Sequence, residues 1–242
     1  MANVMLNDKT FSGASGPIAR EATDRMTIGG TILRSAVLTV VALVFGTVGW
    51  NNVATVLNTA SGLVFLVVFL GLIGLSFVAA RNPRMAVWIG PVYAVVVGVW
   101  AGAISRVYEQ MYQGVVPQAV LATISVLVVT LLLYTLRIVR VSPRFVQVVL
   151  AATLGVIGLY VVDIVASFFG ASFIEATPLG IGISVVTSLV AAFNLFVDFY
   201  FVEQGVKAGA PRYMEWYSAF ALVATIVWLY LELLRLLSFV RR

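Results

Sequence analysis

Polar residues interrupt this chain seldom, and at regular intervals. Apolar runs of about 20 residues recur almost to its end, each long enough to cross a hydrocarbon layer about 30 Å thick as a helix. They lie at about residues 31–50, 61–80, 85–107, 116–136, 145–169, 179–202 and 216–240. None alternates with the period of two that a lipid-facing barrel strand requires, so seven helices are predicted. Residues 1–26 carry Ser12, Gly13, Ser15, Gly16, Pro17 and charges of both signs, and read as a mobile polar tail rather than a signal peptide.

Composition turns these helices into a membrane domain. Of 242 residues, 62% are hydrophobic and 10% charged, and the mean hydropathy of +1.06 lies far from soluble usage. The expected fold is all-α: a polytopic membrane protein whose seven transmembrane helices occupy residues 27–242. Cysteine and histidine are both absent. Disulfides, thiolate nucleophiles, Cys/His metal sites and imidazole relays are therefore excluded, and proton chemistry falls to carboxylates.

The net charge of +5 is scattered over short loops, which argues against nucleic-acid binding and for a topological role. With the N-terminus cytoplasmic, only Arg106, Arg235, Arg241 and Arg242 fall outside, and every other Lys and Arg falls inside. The positive-inside bias therefore predicts an external C-terminus. Gly98 and Gly102 form a small-xxx-small pair on the third helix. Gly71, Gly74, Gly155 and Gly158 are also expected to admit close helix approach. Pro91 is expected to kink the third helix.

Ionisable groups inside a span cost several kcal/mol unless paired, hydrated or neutralised, and so mark function. On the sixth helix Ser184, Thr187, Ser188, Ala191, Asn194 and Asp198 share one face at about 100° per residue. On the seventh, Ser218, Ala221, Thr225, Trp228, Glu232 and Arg235 do the same. Two striped helices joined by a short loop are expected to be antiparallel neighbours whose stripes meet. Interhelical hydrogen bonding alone would account for the Ser and Thr members. Asp198 differs, because loss of water favours the neutral form of a carboxylate and makes it a candidate proton sensor. By depth, Asp198 lies toward the cytoplasmic end, whereas Asp163, Glu232, Arg235 and Arg106 lie toward the external ends and could form an ion-paired network. Tyr160 and Ser167 share the face of Asp163. Arg81 is a candidate partner for Asp198, in a latch that breaks when the acid takes a proton.

The stretch NLFVDFYFVEQGVKAGAPRYMEWYSAFALVATIVWLYLELLRLL, with YAVVVGVWAGAIS and GVVPQAV upstream, resembles the transmembrane Bax-inhibitor-motif (Bax inhibitor-1-like) family, in its bacterial branch. The resemblance implies a bundle with the last helix at its centre and a pH-sensitive calcium leak in the bacterial inner membrane. It further implies two aspartates, on the sixth and seventh helices, that share a proton and pair with an arginine of the second helix. Asp198 matches the first aspartate, whereas the second falls at Thr225 and a family glutamate of the third helix falls at Val97. Without a second carboxylate, burial or an arginine must decide when Asp198 ionises.

The expected function is therefore a calcium leak channel gated by protonation of Asp198, with lipid, calcium and protons as partners and no cofactor. Asp198 with Asn194, Thr225, Ser188 and carbonyls would offer calcium a weak, transient site, short of the six to eight oxygens of a firm one. Two other readings remain open: a non-conducting regulator that binds another membrane protein, and a proton-coupled cation transporter. Enzyme chemistry is not expected. A Ser–His protease lacks its histidine, the YD and GxGD motifs of an aspartyl intramembrane protease are missing, and no lysine lies on the seventh helix.

Overall fold

The computed structural model describes residues 25–54, 62–167, 169–170, 174 and 177–241. Among them are seven α-helices: α1 (Ile28–Asn51), α2 (Gly62–Arg81), α3 (Ala86–Met111, entered through the 3-10 turn Pro83–Met85), α4 (Val115–Thr135), α5 (Pro143–Ser167), α6 (Pro178–Lys207) and α7 (Met214–Val240). Among the described residues, six helical segments are long and apolar enough to cross a membrane. The chain is a polytopic, all-α integral membrane protein.

Local chemistry sets where these helices begin and end. Thr27 caps α1 by accepting from the Gly30 amide at 2.9 Å. Ser142 and Thr177, each followed by a proline, cap α5 and α6 by accepting from Phe145 at 3.2 Å and Gly180 at 3.1 Å. α6 runs past the end of its apolar stretch to Lys207, where a Lys207–Glu203 ion pair of 2.6 Å spans its last turn. Gly209 then stops it. With φ of +65°, this residue lets the Gly209 and Ala210 amides fold back onto the Val206 and Gly205 carbonyls at 3.1 and 3.0 Å.

Most of the tail expected over residues 1–26 lies outside the described residues, but Arg25 and Met26 depart from it. Met26 is buried, and its amide donates to the Ala210 carbonyl at 2.7 Å. Arg25 pairs with Pro211 in an isolated antiparallel bridge. An apolar side chain beside the Thr27 cap gains more by burial than by remaining in a polar tail.

Burial separates lipid-facing from enclosed helices. Half of the apolar window of α6 and of α7 is buried, against 17% for α1 and α5. Ile32, Leu33, Val40 and Leu43 of α1 and Val148, Leu154 and Val162 of α5 stand exposed, as suits residues bathed in acyl chains.

The chain divides into two compact units, one of residues 25–107 with Asp198–Ala224 and one of Tyr108–Val197 with Thr225–Arg242. In the first, α1 and α3 meet backbone to backbone. A Cβ on Gly98 would strike the Ala42 backbone, one on Gly102 that of Gly46, and one on Gly49 that of Val99. α3 runs unbroken through Pro91, and Tyr93 meets Phe220 edge to face at 4.8 Å. In the second unit, Phe145 of α5 packs edge-on against Phe193 and Phe196 of α6 at 6.1 and 6.4 Å. The close approach expected at Gly71, Gly74, Gly155 and Gly158 is not found among the described residues: a Cβ on any of them would meet none of their atoms within 4 Å. Glycine admits a neighbouring helix but does not attract one; on these faces no described residue lies near.

Candidate functional site

Asp198 lies on α6, fully buried at 0% exposure. The apolar residues around it in sequence, Leu195, Val197 and Phe201, are buried too. Tyr217 of α7, also fully buried, lies near enough to interact electrostatically with Asp198. Thr225 is buried at 0%. Arg81 stands exposed at the end of α2, with its guanidinium 4.5 Å from the centre of the Phe77 ring.

The polar stripe of α6 divides by use. The Asn194 amide donates to Thr153 Oγ1 of α5 at 2.9 Å and to the Val190 carbonyl at 2.7 Å, while its oxygen accepts from Thr153 at 3.2 Å. Asn194 thus ties α6 to α5, with its polar capacity largely committed there. Ser188 is buried, and its hydroxyl has no hydrogen-bond partner among the described residues. Ser184 and Thr187 turn instead toward charges on α7.

Those charges form a saturated cluster. Glu232 Oε1 accepts from the Tyr160 hydroxyl and from Trp228 Nε1, the latter at 2.9 Å. Oε2 accepts from Thr187 Oγ1 at 2.7 Å and pairs with Arg235 one turn along the helix. Arg235 also donates to Tyr160 and, at 3.3 Å, to Ser184 and Thr187. Four donors converge on one buried carboxylate. The cluster joins α5, α6 and α7, and the α6 and α7 stripes do meet here.

The other two charges expected at this level have different surroundings. Asp163 Oδ1 accepts from the Ile174 amide at 3.2 Å. Arg106 lies 5.1 Å from the Trp50 ring centre, a cation–π contact between α3 and α1.

A further buried acid was not singled out from the sequence. Glu215, in the first turn of α7, is 1% exposed. Its Oε1 accepts from the Thr27 amide at 2.8 Å and the Thr27 hydroxyl at 2.9 Å, and its Oε2 pairs with Arg34 of α1. The carboxylate therefore sits at the first turns of two helices, where their dipoles favour negative charge. Two signals pointed to it: an acid at the head of an apolar run, and an arginine placed inside another.

Among the described residues, no three acidic side chains gather where a metal ion could be held. Asp198, Glu215 and Glu232 are all buried, and Glu215 and Glu232 are each paired with an arginine.

No curated protein matches the chain. The family model described as Bax inhibitor 1 like, in contrast, spans residues 4–242. It takes in the buried Asp198, the GAP turn that stops α6 and holds Met26, the MEWY segment that carries Glu215, and the Glu232–Arg235 pair. By a match over nearly its whole length, the chain belongs to the Bax inhibitor 1-like family of membrane proteins.

Proposed function

We propose that the chain is a proton-modulated leak channel for calcium, with Asp198 as sensor and gate. The observation that carries this reading is the complete burial of Asp198 in a membrane-spanning helix. An ionised carboxylate in such a place needs water, a cation or a basic partner, whereas the protonated form needs none of them. The two charge states therefore demand different surroundings, and that difference couples proton exchange to cation entry. Asp198 is the transient calcium ligand, with Arg81 its proposed basic partner. Ser184, Thr187, Ser188 and Asn194 make up the polar stripe of the pathway, and Asp163, Glu232, Arg235 and Arg106 its external charges. The proposed setting is a bacterial inner membrane, with the N-terminus cytoplasmic.

Calcium-dye flux into proteoliposomes tests this directly. Flux above protein-free liposomes that varies between about pH 6 and about pH 8 is expected, and Thr225→Asp should steepen that variation by adding a second titrating acid. Flux no greater than in protein-free liposomes would contradict the reading.

A further inference from the structure

Next to the Glu215–Arg34 pair lies a cavity of about 490 Å³. Arg25, Arg34 and Arg212 line its polar part, and Leu33, Val37 and Trp216 its apolar part. Glu215 also lines it, but both of its oxygens are taken up by Thr27 and Arg34. Arg25 and Arg212 are exposed, and neither is ion-paired with any described residue. Among the described residues, a positive charge surplus thus faces the cavity, and the N-terminal end of the α1 dipole adds to it.

The apolar wall narrows the class of ligand. Leu33 and Val37 lie on the lipid-facing side of α1, at 65% and 45% exposure. Trp216 sits beneath the Arg34 guanidinium, 5.4 Å from it, and tryptophan is favoured at the boundary between headgroups and acyl chains. A soluble anion would use the arginines and leave the apolar wall empty. A ligand with a phosphate at one end and a hydrocarbon chain at the other fills both.

We propose that this cavity is a binding site for an anionic phospholipid, its phosphate held by Arg25, Arg34 and Arg212 and an acyl chain laid along Leu33 and Val37. Basic pockets among transmembrane helices suit such headgroups. The site involves neither Asp198 nor calcium, so it stands apart from the leak.

Native mass spectrometry of the purified full chain with added phosphatidylglycerol or phosphatidylcholine tests it. The wild type is expected to retain phosphatidylglycerol in preference to phosphatidylcholine. R25Q/R212Q, which alters two exposed side chains, should weaken that retention about 25-fold, at about fivefold per arginine. Arg144→Gln, at the start of α5 and outside the cavity, should leave it unchanged, and inorganic phosphate at the same concentration should not displace the lipid. Equal retention of the two lipids, full retention by R25Q/R212Q, an equal loss in Arg144→Gln, or displacement by phosphate would each overturn the proposal.

Discussion

α7 carries two buried glutamates, each paired with an arginine, and the two pairs are built differently. Glu215 takes its arginine from α1, far away in sequence, and its other donors from the Thr27 cap of that same helix. Glu232 takes its arginine from its own helix, as it does the Trp228 donor, and neutral hydroxyls from α5 and α6 complete its shell. In the first pair the tertiary contact is the ion pair itself, so charge fastens one helix to another. In the second, the charge is already balanced within α7, and neutral hydroxyls do the fastening. A buried ion pair is therefore not one kind of object: its mechanical role depends on which partner crosses between helices.

Substitutions at the two sites should separate these roles. Glu215→Ala leaves Arg34 with a buried, unpaired charge and the Thr27 amide without its acceptor. It should cost about 3–5 kcal/mol in detergent-induced unfolding, and a loss below about 1 kcal/mol would refute its part in fastening α1. Glu232→Gln keeps the volume but removes the charge that four donors address; about 1.5–3 kcal/mol is expected. An effect as large as that of Glu215→Ala would erase the proposed distinction. Tyr160→Phe removes one neutral donor and should cost about 1 kcal/mol by thermal unfolding, and a variant as stable as wild type would show that α5 is not held through this hydroxyl.

The helices were legible because a bilayer permits few solutions: long apolar runs in lipid must close their backbone hydrogen bonds internally. Helical spacing placed Glu232 and Arg235 on one face of α7, where they pair, but the wider network expected with Asp163 and Arg106 did not follow from it, since these two make other contacts. Which donors would come from Thr187 and Tyr160 depended on tertiary packing, which spacing does not contain. Glycine shows the same limit. Gly98 and Gly102 meet α1, while Gly155 and Gly158 meet no described residue nearby, and the letter is identical in both settings. Glu215 escaped notice because an acid in a first turn is already explained by the helix dipole. Only its burial and the arginine of α1 reveal the second role.

The central claim is that one buried carboxylate converts proton concentration into cation flux. Calcium flux through reconstituted wild type and Asp198→Asn, compared from about pH 6 to about pH 8, tests it most directly, because asparagine keeps the size and cannot ionise. The account predicts a flux that changes with pH in the wild type and stays level in the variant. A variant whose flux follows pH as steeply as the wild type would contradict it.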